Sequence, residues 1–161
     1  MKKVFFYQTA IGKLTVAENG QAITNLYFHE EAAPQDAIYE ETELLREAGL
    51  QLAAYLAGER KGFDLPFAPQ GTVFMKQVWE ALLTIPYGET RTYREIAEAI
   101  GSPTAVRAVG NANSKNPLSI FIPCHRVIGS KGELTGYLGG LKAKQFLLEL
   151  EKMNAMLTGS R

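Results

Sequence analysis

The sequence predicts an α+β protein in which a small N-terminal three-stranded antiparallel sheet with one helix precedes a mainly helical domain. Two apolar segments rich in β-branched and aromatic residues are joined by a short turn, and Asn19-Gly20 introduces a third, as in consecutive hairpins. After a segment rich in glycine and proline, apolar residues recur at helical spacing. The 161 residues suffice for one ordinary domain or two small ones.

The first part of the chain contains the predicted sheet. Its strands are expected at residues 2–8, 11–17 and 22–28. Helical spacing of apolar residues then predicts a helix from Tyr39 to about Ala57. The composition of Ala57–Gly71 is typical of a linker, so we expect domains at 1–66 and 67–161. The first domain shows no grouping of chemically reactive residues, and we expect it to support the second.

The pattern of caps and apolar residues in the second part of the chain predicts a helix-turn-helix. Thr72 is a candidate N-cap for a helix to about Thr84, and Thr92 for a helix over Tyr93–Ile100. Ser102 is the candidate cap of the next helix, with Pro103 at its first position and an end near Ala112. Two short helices joined by a tight turn fit either a DNA-binding motif or a packed helical hairpin. The pattern alone leaves both open.

A small hairpin is expected after the helix-turn-helix, where it resembles a wing. The turn 129–132 separates Val127-Ile128 from 133–135, which predicts two short antiparallel strands. A last helix is expected from Leu141 to about Met153, and residues 158–161 are expected to fray.

Charge is distributed unevenly along the chain, although its formal sum is zero. Residues 1–68 contain six Lys and Arg against ten Asp and Glu, whereas residues 69–161 contain eleven against seven. The second part therefore favours an anionic partner such as nucleic acid. Its basic residues surround the predicted helix-turn-helix: Arg91, Arg94, Arg107, Lys115, Arg126 and Lys131.

The only cysteine, Cys124, directly precedes one of the two histidines, His125, in an apolar segment. A thiol becomes a nucleophile as the thiolate, which a neighbouring imidazole or cation favours. Most lone cysteines are buried and inert, but the order Pro123-Cys124-His125-Arg126 favours a reactive, accessible thiol. Neighbouring residues of a strand point apart, so cooperation of Cys124 with His125 requires a backbone turn or a bridging water.

The single cysteine also indicates the cellular compartment of the protein and argues against a structural metal site. A lone thiol fits a reducing environment, and a structural zinc site needs more Cys and His ligands than the chain has. The first residues turn polar too soon for a signal peptide, and no apolar segment approaches membrane-spanning length. We expect a cytoplasmic protein without a metal site.

The segment Ile122-Pro123-Cys124-His125-Arg126-Val127 resembles the active-site signature of the O6-alkylguanine-DNA alkyltransferases, or methylated-DNA–protein-cysteine methyltransferases. The resemblance covers residues 72–152 closely and the N-terminal part in general layout. It extends through Tyr87-Gly88-Glu89, Thr92-Tyr93, Ala108–Ala112, Asn116-Pro117 and Gly139-Gly140-Leu141. The resemblance implies a ribonuclease H-like first domain and a winged helix-turn-helix second domain that binds DNA and performs the transfer.

The resemblance implies direct-reversal DNA repair by a single-turnover enzyme without a cofactor. Such an enzyme flips the damaged guanine out of the duplex and transfers its O6-alkyl group irreversibly to Cys124. The implied partner is double-stranded DNA containing O6-alkylguanine, bound through the minor groove largely independently of sequence by a monomer that binds no membrane. Activity on O4-alkylthymine is left open.

The resemblance also implies catalytic roles for five residues. His125 would take the thiol proton of Cys124 through a water, and Glu151 would orient and stabilise His125. Tyr93 would protonate the leaving guanine and help to rotate the nucleotide, and Asn116 would hold the active-site turn. Spacing alone makes Glu151 a solvated helix residue.

Further positions are implied to contact DNA and the alkylated base. Arg107 would fill the space left by the flipped base, and its isolation among small residues supports this reading. The other implied DNA contacts are Tyr93, Arg94, Ala108, Lys115 and Arg126. The implied substrate pocket comprises Ser119, Val127, Tyr137 and Leu138. Ser119 replaces a proline of some relatives and Leu138 is bulkier than in many, so the tolerated alkyl group is left open.

Three other functions compete with repair. A non-catalytic lesion-binding protein of the alkyltransferase-like kind would lack the cysteine, which Cys124 argues against. A cysteine hydrolase would need an oxyanion hole and would turn over many times. A winged-helix regulator would use the cysteine only structurally.

Overall fold

A computed structural model describes residues 1–158. The chain forms two compact units, of which the first ends at Gln70 and the second begins at Gly71. The sequence placed this division after residue 66. Residues 158–161 were expected to fray, and of these, 159–161 lie outside the described part of the chain. Between residues 1 and 158, no helix combines the length and the apolar character needed to cross a membrane.

The first unit contains the predicted antiparallel sheet. Its strands are β1 (Lys3–Thr9), β2 (Gly12–Glu18) and β3 (Ile23–Tyr27), and a two-residue strand β4 (Ile38–Tyr39) was not predicted. The order is β3-β2-β1-β4, with β4 parallel to β1. Gly12 has a φ of 105°, a conformation that glycine adopts readily, at the turn between β1 and β2.

One helix, α1 (Glu43–Leu56), packs against β1 and β2 of this sheet. It begins four residues after the predicted start because Tyr39 belongs to β4, and Thr42 caps it by accepting from the Leu45 amide at 3.1 Å. Gly49 allows a close approach, since a Cβ atom there would lie 2.5 Å from the Tyr7 ring. The glycine that lowers the helix propensity of this segment therefore makes room for the Tyr7 ring.

The second unit is mainly helical. Its helices are α2 (Val73–Leu82), α3 (Tyr93–Ala99), α4 (Val106–Ser114) and α5 (Leu141–Thr158). Thr72 and Thr92 are N-caps, as predicted, and Thr92 forms a capping box with Glu95. The buried Trp79 indole donates to the Ala112 carbonyl at 2.9 Å, which links α2 to α4.

In the second unit, the predicted start of α4 and the predicted end of α5 were wrong. The amide of Ala105 donates to the Ser102 carbonyl at 2.9 Å, so Pro103 lies in a turn, and α4 begins only at Val106. The fixed φ of proline suits the second position of a turn as well as the first position of a helix. Helix α5 continues to Thr158 rather than ending near Met153, because no glycine or proline occurs after Gly140 until residue 159.

The predicted wing hairpin does not form as expected. Val127–Ile128 is strand β6, but it pairs in parallel with β5 (Arg91–Thr92), and 133–135 adopt no strand conformation in the described chain. The Gly129 amide donates to the Glu133 carbonyl at 2.9 Å and closes only a turn. The β5–β6 pairing places the start of α3, which follows β5 directly, beside the segment that follows the cysteine.

Candidate active site

The cysteine follows a tight loop that one asparagine side chain holds closed. Asn116 Nδ2 donates to the Ile122 carbonyl at 2.9 Å, and its Oδ1 accepts from the Leu118 amide at 3.0 Å. Ile120 in this loop has a φ of 75°, an outlier for a β-branched residue. The backbone then turns in a short 3-10 segment over Cys124–Arg126 instead of continuing as a strand.

The thiol of Cys124 is buried, although its neighbours in the sequence favoured an accessible one. The residue is 3% exposed, and Sγ donates to Ser119 Oγ over 3.7 Å. Burial raises the pKa of the Cys124 thiol, while hydrogen bonding with Asn116 and Ser119 and the charge of Lys144 favour the thiolate and act in the opposite direction. The resting group is therefore a protonated thiol, which needs a base to become a nucleophile.

Glu151 is the acceptor on which the polar side chains of the site converge. His125 Nε2 lies 2.8 Å from Oε2, and Arg126 donates from Nε to Oε1 at 2.8 Å and from Nη2 to Oε2 at 2.9 Å. The Gly88 amide donates to Oε1 at 3.2 Å. Gly88 has a φ of 81°, and a Cβ atom there would lie 2.9 Å from Cβ of Ala155. A side chain at this position would be strained and would crowd α5 next to Glu151.

The protonation states of this cluster follow from its contacts. Burial raises the pKa of the Glu151 carboxyl, but hydrogen bonds from His125 and Arg126 outweigh burial and bring that pKa to about 2. A carboxylate only accepts, so Nε2 of His125 holds the ring proton and Nδ1 is the basic nitrogen. Burial lowers the pKa of His125, against the hydrogen bond to Glu151. The imidazole is therefore neutral and oriented.

Arg126, which the resemblance implied as a DNA contact, does not lie at the surface. The residue is 8% exposed, and Nη1 donates to the Ile85 carbonyl at 2.7 Å in addition to the two bonds to Glu151. Its guanidinium lies 5.6 Å from the Tyr87 ring centroid. These partners hold Arg126 inside the second unit, where its charge stabilises Glu151.

A second buried cation, Lys144, was missed by sequence reasoning. Its side chain is fully buried, and Nζ donates to the Thr135 carbonyl at 2.7 Å. Burial lowers the pKa of Lys144, and the negative charge that Cys124 has as a thiolate acts against that shift. The sequence contained a signal, since Lys144, Leu147 and Glu151 recur at the three- and four-residue spacing of one helical face. Leu147 marks this face as the one that packs inward, but the spacing does not by itself decide that Lys144 and Glu151 are buried with it.

The predicted substrate pocket is formed by residues of different exposure. Val127 is fully buried, Tyr137 is half-buried and Leu138 is 57% exposed. Tyr93, at the first position of α3, is half-buried, and its hydroxyl lies 2.7 Å from Thr135 Oγ1. A tyrosine hydroxyl is thus held at the edge of the site by a residue to which the sequence assigned no role.

The remaining predicted DNA contacts lie at the surface of α3 and α4. The exposed residues are Arg94, Arg107, Ala108 and Lys115. The opposite face of α4 is buried and contains Val109 and Asn113. Asn113 Nδ2 donates to the Cys124 carbonyl at 3.4 Å. One helix therefore presents an arginine to solvent and contacts the cysteine backbone with its other face.

Comparison with known proteins identifies the class to which this fold and site belong. Residues 73–153 match the family described as "6-O-methylguanine DNA methyltransferase, DNA binding domain". Residues 3–69 match "6-O-methylguanine DNA methyltransferase, ribonuclease-like domain". Together the two matches cover nearly the whole chain, so the fold class expected from the sequence is confirmed.

Relatives of similar length extend this result. The methylated-DNA–protein-cysteine methyltransferase of Methanosarcina barkeri is 52% identical over 91% of this chain and 95% of its own. The constitutive methylated-DNA–protein-cysteine methyltransferase of Bacillus subtilis is 49% identical over 91% and 93%. The crystal structure of Mycobacterium tuberculosis OGT in complex with DNA is 49% identical, with a TM-score of 0.89 over 94% of each chain. The chain belongs to the methylated-DNA–protein-cysteine methyltransferase family, whose enzymes repair DNA by alkyl transfer.

Proposed function

We propose that Cys124 is the alkyl acceptor in an irreversible, stoichiometric repair of O6-alkylguanine in double-stranded DNA. The single cysteine, placed beside a neutral histidine that Glu151 orients, is the observation on which this proposal depends. The sulfur attacks the alkyl carbon, an S–C bond forms and the C–O6 bond breaks. The bonding electrons pass to the guanine, which takes up a proton. The thioether is stable, so each molecule acts once.

His125 acts as the base for this step. Its basic Nδ1 takes the thiol proton through a bridging water, and Glu151 then stabilises the imidazolium. Both groups are neutral at rest because burial disfavours charge on each, so the ion pair forms only as the reaction begins. Asn116 supports this geometry by holding the loop before Cys124 in one conformation.

Burial of the thiol favours base flipping as the route to the substrate. An alkyl carbon within the base stack cannot reach a sulfur that is 3% exposed, so the nucleotide must leave the duplex. Arg107, exposed on α4, fills the space that the base leaves. Arg94, Lys115 and Ala108 then face the DNA backbone, in a minor-groove contact that is largely independent of sequence.

The flipped guanine is held by the groups around the cysteine. Tyr93 donates a proton to the leaving base, and the backbone of Val127 and of Tyr137–Leu138 contacts its edge. Ser119, whose hydroxyl lies 3.7 Å from Sγ, lines the space for the alkyl group. O4-alkylthymine is a further candidate substrate for the same pocket.

The remaining expectations concern the whole chain. The first unit, which was expected to end at residue 66 and ends at Gln70, supports the fold. The second unit binds DNA and performs the transfer, and the protein acts as a monomer. A reducing cytoplasm suits a protein whose function depends on one free thiol.

Intact-protein mass spectrometry tests the proposal directly. The protein is incubated with a duplex containing one O6-methylguanine, with Cys124→Ser as the control. We expect one methyl group per molecule, located on Cys124, and none on the control. Binding of the lesion without any gain in mass would instead identify a lesion-binding protein. Repeated turnover without a methylated cysteine would point to a hydrolase.

A further inference from the structure

Thr135 joins two functional side chains of the second unit. Its hydroxyl oxygen lies 2.7 Å from the Tyr93 hydroxyl, and its carbonyl accepts from Lys144 Nζ at 2.7 Å. The two contacts use different parts of the same residue, the side chain and the backbone. Thr135 therefore has a defined place between α3 and α5, although it lies in no helix or strand.

The backbone of Thr135 is anchored by a residue that cannot move easily. Lys144 is fully buried in α5, its ammonium group donates to the Thr135 carbonyl, and its charge favours the Cys124 thiolate. The loop between Thr135 and α5 is closed by a bond from the Gly140 amide to the Tyr137 carbonyl at 2.9 Å. The Thr135 hydroxyl is thus held in place before any substrate binds.

The direction of the hydroxyl–hydroxyl bond follows from the chemistry. If Tyr93 gives its proton to the leaving guanine, it cannot also donate to Thr135, because a phenol has a single O–H. Thr135 must then donate, and a donor at the Tyr93 oxygen stabilises the negative charge that develops there as its proton leaves. Preorganised donors of this kind lower a barrier without rearrangement during the reaction.

We propose that Thr135 is a positioning residue for alkyl transfer, which orients the Tyr93 hydroxyl and donates to it as Tyr93 protonates the leaving base. The proposal rests on the proposed function, because it requires that Tyr93 acts on the leaving guanine. The proposal gives a role to a residue outside the cysteine motif. It also assigns the two proton transfers to different residues: Tyr93 and Thr135 serve the leaving guanine, whereas His125 activates the thiol.

A set of four variants tests this role: Thr135→Val, Thr135→Ser, Tyr93→Phe and the double variant Tyr93→Phe/Thr135→Val. The rate of methyl transfer is measured under single-turnover conditions with excess duplex containing O6-methylguanine. Thr135→Val keeps the shape and the backbone carbonyl but removes the hydroxyl, so we expect a loss of about 3- to 10-fold, the worth of one neutral hydrogen bond. Thr135→Ser keeps the hydroxyl and should remain within about twofold of the wild type.

The double variant shows whether Thr135 acts through Tyr93. If it does, Tyr93→Phe/Thr135→Val transfers methyl as slowly as Tyr93→Phe alone. Reaction of Cys124 with iodomethane is the matched control, because iodide leaves without a proton. All four variants should react with iodomethane at the wild-type rate.

Several results would overturn the proposal. Wild-type transfer by Thr135→Val, failure of Thr135→Ser to restore the rate, or losses that multiply in the double variant would each exclude action through Tyr93. Slower reaction of Thr135→Val with iodomethane would place the effect on the thiol instead. If the wild-type protein itself gained no methyl group on Cys124, the proposed function would fail, and this role with it.

Discussion

The charge of Glu151 should contribute strongly to the stability of the second unit. Glu151→Gln leaves Arg126 buried without its carboxylate, and breaking a buried pair in this way costs about 3–5 kcal/mol. The pKa leads to a similar figure. Its fall from the ordinary 4.5 to about 2 in the folded protein corresponds to about 3 kcal/mol, at about 1.4 kcal/mol for each pKa unit.

The pH dependence of this contribution has a defined sign. The pKa of the carboxyl is lower in the folded protein than in the unfolded chain, so its stabilisation is fully present above about pH 4.5 and is lost as the pH falls towards 2. By pH 3 about 2 kcal/mol of it should be gone. The Glu151→Gln protein has no carboxyl here to titrate. The difference in free energy of unfolding between the two proteins should therefore shrink over this range.

Urea unfolding followed by the fluorescence of Trp79, the only tryptophan, measures this difference at pH 7, 5, 4 and 3. Glu149→Gln is the matched control, since Glu149 lies on the same helix but is exposed, and its loss should change stability by less than about 0.5 kcal/mol. Equal stability of the two variants at pH 7 would refute the reasoning. A difference between Glu151→Gln and the wild type that stayed constant down to pH 3 would also refute it.

Two further predictions concern the cations near the site. Lys144→Met removes a buried charge that favours the Cys124 thiolate. The reaction of Cys124 with iodomethane should therefore require a higher pH than in the wild type, and an unchanged pH profile of this reaction would contradict the prediction. Arg107→Ala should slow transfer from a fully paired duplex at least about tenfold, because flipping costs a few kcal/mol that the arginine offsets. Transfer from a single-stranded oligonucleotide should be little affected by Arg107→Ala, and equal losses on both substrates would argue against a role in flipping.

Local features of the fold were predictable from the sequence because they depend on near neighbours. The caps Thr72 and Thr92 use side chains that bond amides three residues away, and the strand pattern of the first unit follows from alternation and turns. The start of α4 was predicted wrongly because Pro103 fits a turn and a helix equally well. The pairing of β6 with β5 could not be predicted, because it joins residues that are far apart in the chain.

The class of the protein could be predicted from the sequence alone, because Pro123-Cys124-His125-Arg126 and the motifs around it are local and specific. The sequence did not determine the electrostatics of the site. The buried pairing of Arg126 with Glu151, the burial of the Glu151 carboxylate and the influence of the Lys144 charge on the thiol became visible only in the folded chain. The physical reason is that the protonation state of a side chain depends on burial and on opposite charges, which are supplied by segments distant in sequence.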